Sequence, residues 1–94
     1  LEFTTKVPVL MKVFFMGEKN KEEGIAYFKQ LKEEGEKALK ELEIVPQYIK
    51  AYAQYVDDSE KTDYWEMTVD YGRRSMQMQI DWAQSCIEQL EKKD

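Results

Sequence analysis

Residues 64–82 read YWEMTVDYGRRSMQMQIDW and hold both tryptophans of the chain, two of its six tyrosines and three of its five methionines. The stretch lies within a proline-free run from about Glu60 to Lys92. Along that run Trp65, Val69, Gly72, Met76, Ile80, Ala83, Ile87 and Leu90 recur in steps of three and four, the signature of one face of an α-helix. Tyr64, Met67, Tyr71, Met78, Trp82 and Cys86 form a second apolar seam beside the first. At about 100° per residue the two seams together span an arc of roughly 220°. The rest of the helix carries Glu66, Asp70, Arg73, Arg74, Gln77, Asp81, Gln84, Glu88 and Glu91. A helix on the surface of a small monomer needs an apolar stripe only somewhat wider than ~100°. A stripe twice that width must pack on two things. One other helix of the chain can cover one seam. A second copy is the economical cover for the other, because closed two-fold dimers are the commonest oligomers. Periodicity alone leaves open which seam faces the partner.

Upstream, Asn20-Lys21-Glu22-Glu23 places a cap residue three positions before a glutamate, the pattern of a capping box. From there Gly24, Phe28, Leu31, Gly35, Ala38, Leu42, Val45, Ile49, Tyr52 and Val56 alternate in steps of four and three, a heptad seam of over four repeats. Pro46 falls inside this seam without changing its phase, so we expect one long helix kinked near Pro46. Glycines at 24 and 35 cost helix propensity but permit close backbone approach. Asp57-Asp58-Ser59-Glu60 reads as the turn and the next cap. Nearer the start, Val7–Met16 (VPVLMKVFFM) is apolar nearly all round, as a buried helix is. Pro8 suits its first turn, with Thr4 or Thr5 as cap, and Gly17 ends it. The β-branched and aromatic content of this segment also suits a strand.

Composition narrows the functions. Ninety-four residues make one small domain, and chains of this size bury only about 60–65% of their unfolded surface and are often completed by a partner. The longest apolar stretch is broken by Lys12 and too short to span a bilayer, and it lacks the features of a signal peptide. The first residue is Leu, which reads as a piece of a longer chain or a processed product. Acidic residues outnumber basic ones 19 to 14, for a net charge of −5. Nucleic-acid binding draws on neutralised phosphates, so this chain alone is not expected to bind DNA. A single cysteine, Cys86, excludes an internal disulfide and fits a reducing cytoplasm.

No catalytic constellation is legible. The chain has no histidine, so neither a Ser-His nor a Cys-His nucleophile can be assembled. Cys86 lies on the apolar arc and reads as a small buried hydrophobe. The acidic clusters Glu22-Glu23, Glu33-Glu34-Glu36 and Asp57-Asp58 lack metal-ligand spacing, and Gly72-Arg73-Arg74 sits inside a helix rather than in a phosphate loop. Arg74 stands four residues after Asp70, the geometry of an ordinary surface pair. We therefore expect no catalytic residues, no metal and no cofactor. The aromatic and methionine strip has two readings. It is packed surface within or between protomers, or it leaves room for a small aromatic effector at Tyr64, Trp65, Tyr71, Met78 and Trp82.

Taken as an ordered set, Leu10, Lys12, Phe14, Phe15 and Gly17, then an Asn-capped long helix, then Tyr64, Trp65, Tyr71, Gly72 and Trp82, resemble the C-terminal domain of PadR-like transcriptional regulators. The resemblance spans essentially the whole chain, and Pro8 and Pro46 depart from the family pattern. It implies a helical dimerisation domain that follows an N-terminal winged helix-turn-helix, a domain absent from this sequence. In that family the winged helix binds operator DNA, often as a repressor, and some members respond to phenolic acids or hydrophobic drugs. The C-terminal helices then set the spacing of the two DNA-reading domains.

The expectation is thus an all-α domain over residues 1–94, with one short and two long helices in coiled-coil-like antiparallel packing, homodimeric and cytoplasmic. Its interface is expected at Phe14, Phe15, Trp65, Val69, Met76, Ile80, Trp82, Ile87 and Leu90. DNA would be reached only through the missing winged helix, and no membrane contact is expected. Two alternatives remain at this stage: a small hydrophobic or phenolic ligand-binding module at the dimer interface, and a stand-alone coiled-coil adaptor for a different protein.

Overall fold

The computed structural model describes residues 7–44, 47–48, 51 and 59–93. Among them three α-helices and a short 3-10 turn have defined bounds, Gln47, Tyr48 and Ala51 are also helical, and there is no strand. Helix α1 spans Pro8–Phe15 and runs into the 3-10 turn Met16–Glu18. Helix α2 spans Lys21–Leu42 and α3 spans Ser59–Glu91. Among the described residues no helix is long and apolar enough to cross a membrane.

The start of α1 differs from expectation. Its N-cap is Val7, with no side-chain cap and with proline at the first helical position, while Thr4 and Thr5 lie outside the described residues. Proline there needs no cap for its own nitrogen, because it has no N–H to satisfy. The end differs too. Gly17 adopts no positive φ, and the chain leaves the helix only after the 3-10 turn, at the extended Lys19.

Asn20 starts α2 as its sequence promised. Its side chain accepts a hydrogen bond from the Glu23 backbone N–H at 2.9 Å, satisfying one of the orphan donors of the first turn. The Glu23 carboxylate faces Lys19 at 3.8 Å. The helix ends at Leu42, and the last bonds are tight ones, Glu43 N–H to Lys40 and Ile44 N–H to Glu41. A proline offers no N–H to the carbonyl four positions back, and the carbonyl four before Pro46 is that of Leu42. Of the seam expected to continue to Val56, positions Val45, Ile49, Tyr52 and Val56 lie outside the described residues, as does Pro46, where a kink was expected.

Helices α2 and α3 pack antiparallel, and glycine sets how close they come. A Cβ at Gly35 would stand 2.8 Å from Ile80 Cγ1, and one at Gly24 would stand 3.2 Å from Leu90 Cδ1. Gly72 on α3 faces Leu42 in the same way, at 3.4 Å. The step from Gly24 to Leu42 along α2 equals the step from Leu90 back to Gly72 along α3, so one register holds throughout. Lys32 Nζ donates to Gln84 Oε1 at 2.8 Å, and Gln79 Nε2 to the Leu31 carbonyl at 2.9 Å. The core is small: Phe28, Leu31, Ala83 and Ile87, with Val9, Val13, Ile25, Tyr27, Trp82, Cys86 and Leu90 packed around it.

The result is a slab with principal-axis extents of 59 × 27 × 14 Å. Its radius of gyration is 17.8 Å, against about 12 Å for a compact chain of this length. Its accessible surface is 7592 Å², roughly 1,900 Å² more than the ~5,700 Å² of a compact monomer of this mass.

Candidate functional site

The two seams of α3 have different fates. The first packs on α2 through Ile80 at Gly35, Leu90 at Gly24 and the buried pair Ala83 and Ile87. The second splits in two. Toward the C-terminal end, the Trp82 ring meets Phe28 edge to face with centroids 5.5 Å apart, and Cys86 shares a groove with Val13 and Met16. Burial pushes the Cys86 thiol above its ordinary pKa, so the thiolate is a minor form at neutral pH. Toward the N-terminal end of α3, Tyr64, Met67, Tyr71 and Met78 stand largely exposed, Tyr71 at 77%.

Helix α1 is also two-faced. Val9 and Val13 pack on the core, whereas Val7, Met11, Phe14 and Phe15 are exposed. Phe14 and Phe15 touch edge to face at 5.5 Å, and Lys12 Nζ lies 4.6 Å over the Tyr27 ring. Exposed apolar side chains on a monomer are ordinary when scattered singly. Here they are grouped as a strip on α3 and a stripe on α1.

The expected interface residues therefore fall into two groups. Ile87, 3% exposed, and Ile80 and Leu90, each against a glycine of α2, have partners within the chain. Val69 lines a small groove with Leu39 and Leu42, and Met76 is half-buried, its carbonyl facing Gly35. Phe14 and Phe15 are more than half exposed, and Trp65 is 39% exposed. The expected effector residues are likewise strung along the helix. Tyr64 and Trp82 are some 27 Å apart at ~1.5 Å per residue, and Trp82 belongs to the Phe28 contact. The apolar grooves of about 400 and 310 Å³ are lined by other side chains. Periodicity signalled neither groove, because each is built from residues distant in sequence.

The outward face of α3 is polar and internally paired. Asp70 accepts from Arg74 Nε at 2.8 Å and also from Arg73. These two guanidinium hydrogen bonds hold its carboxyl below the ordinary range. Gln77 donates to Asp81 at 3.0 Å and Gln84 to Glu88 at 3.1 Å. Among the described residues no group of three or more His, Cys, Asp or Glu side chains is placed to hold a metal ion.

A helical hairpin with one long face left open can serve many proteins, so the family is decided by comparison. The family described as virulence activator alpha C-term matches residues 5–91. The chain belongs to this family. The match takes in all three helices, including the short α1 whose two apolar faces shape the open surface. No curated protein and no solved structure matches the chain.

Proposed function

We propose that this member of the virulence activator alpha C-terminal family is the dimerisation domain of a PadR-like, DNA-binding transcription regulator of the cytoplasm. Two copies would close over the exposed strip Tyr64, Met67, Tyr71 and Met78 of α3 and the outer stripe of α1. The pair would hold two winged-helix domains at a set spacing. Such a coupling serves repression, the mode implied by the resemblance to PadR-like regulators, and activation alike. The domain itself is a pairing element, not an enzyme.

One observation carries the reading. A slab whose shortest principal-axis extent is 14 Å exposes grouped apolar side chains together with about 1,900 Å² of surplus surface, an area of the order that permanent homodimers bury. The family match supports the regulatory setting.

Sedimentation equilibrium across a wide concentration range tests the proposal. A tight dimer is expected, and Tyr71→Glu or Met78→Glu should weaken it at least about tenfold with the helical circular dichroism intact. A well-folded monomer at all concentrations would remove the pairing role.

A further inference from the structure

At the end of the molecule where α2 begins and α3 finishes lies the groove of about 400 Å³. Val13 of α1, Met16 of the 3-10 turn, Phe28 of α2, and Cys86 and Leu90 of α3 give it apolar walls. Lys19, Lys21 and Lys93 also line it, and among the described residues its lining includes no carboxylate. In a chain with 19 acidic and 14 basic residues, that is a local reversal of charge. Lys19 approaches Glu23 only to 3.8 Å, with both side chains more than half exposed, so the pair is weak. Lys21 Nζ donates to the Lys93 carbonyl at 2.7 Å, a contact that fixes the ammonium there without neutralising it.

Gly17 completes the picture. Its φ is not positive, and a Cβ there would meet nothing within 4 Å. Neither the backbone nor the packing demands glycine at this lining position. Its missing side chain keeps space open.

We propose that this groove binds a single-chain amphiphilic carboxylate, its aliphatic chain on Met16, Phe28, Cys86 and Leu90 and its head among Lys19, Lys21 and Lys93. Apolar walls with a few convergent polar groups are the usual make-up of a small-molecule site. A groove of this size is at the lower end of the ~300–1,000 Å³ range for such sites, which favours one flexible chain over a fused ring system. Methionine adapts to a flexible chain, and ammonium groups recognise a carboxylate by charge-assisted hydrogen bonds. Because α1 supplies one wall, a bound chain also ties α1 to the long helices. None of the residues of the Tyr64–Met78 strip lines this groove.

Cys86 is the only cysteine and stands in the wall, so its alkylation by iodoacetamide reports occupancy. Octanoate, decanoate and dodecanoate, each below its micelle concentration, are expected to slow that reaction. The apparent Kd should tighten about fourfold per added methylene until the groove is full. The matching alcohols should bind at least tenfold more weakly, and alkyltrimethylammonium ions should not protect. Gly17→Leu should abolish protection with the thermal midpoint unchanged or raised, and Lys19→Gln with Lys93→Gln should weaken it about tenfold. Absence of protection would overturn the proposal, as would equal protection by the cationic amphiphile or unchanged binding to Gly17→Leu. Protection that follows protein concentration alone would make the groove an interface between copies instead. Protection only by phosphatidylglycerol vesicles would move the site from a free carboxylate to a lipid surface.

Discussion

The two ends of α3 are made of the same kinds of residue and are treated differently by the fold. At the C-terminal end, Ala83 and Ile87 are buried against α2, while Trp82 and Cys86 on the neighbouring seam meet Phe28 and the α1 side of the molecule. Both seams have something on them. At the N-terminal end the first seam still has a partner, Leu42 against Gly72, but the second seam is open through Tyr64, Met67, Tyr71 and Met78. The difference is one of supply. The eight-residue α1 is only about 12 Å long at ~1.5 Å per residue, and it covers one end of a helix pair several times its length. An amphipathic pattern can thus be continuous along a helix while its partners change from intramolecular to external.

Breaking the closed end should have the largest effect. Ile87→Ala removes a side chain from the four-residue core and should cost about 2–5 kcal/mol of stability in chemical denaturation. A loss under ~1 kcal/mol would mean that this end is not the core. The glycine contacts sharpen the comparison at intermediate scale. Gly35→Val must push a Cβ into Ile80 and part the helices, so about 1–3 kcal/mol should be lost despite the gain in helix propensity. Gly17→Ala meets open space at a permitted φ and should raise stability by about 0.4–1 kcal/mol. Equal effects at the two glycines would contradict the close approach of α2 and α3.

The smallest effect belongs to the polar face. Asp70 is paired with Arg73 and Arg74 at the surface, where both arginine side chains are more than half exposed, so Asp70→Asn should leave the unfolding midpoint at neutral pH within experimental scatter. The sign is nevertheless defined. A carboxyl whose folded pKa is depressed stabilises above its unfolded pKa and loses that contribution as pH falls through the folded value. Any difference between Asp70→Asn and the parent should therefore vanish in acid, and also at high salt.

Much of this was legible beforehand. Asn20 caps α2 as its spacing with Glu23 indicated, and Gly24, Phe28, Leu31 and Gly35 are all buried along the expected seam. The α3 boundaries fall within a residue of those read from the pattern. The interface residues were legible only as a class. Ile80, Ile87 and Leu90 carry the same apolar signal as Tyr71 and Met78, and nothing in a one-dimensional pattern ranks one seam above the other. The lysine-lined groove was not legible, because Val13, Phe28 and Cys86 come from three separate helices.

What the sequence determined by itself is therefore local: three helices, the cap at Asn20, and an α3 whose apolar arc is too wide for a single neighbour. Helical periodicity acts through residues three and four apart, so it survives without knowledge of the rest of the chain. The tertiary structure decided how those arcs are shared. The approach of Ile80 to Gly35 and of Leu90 to Gly24 commits the first seam of α3 to α2, and the side on which α1 lies covers only one end of the second. Both depend on contacts between residues far apart in sequence, where register and shape, not hydrophobicity, select the partner.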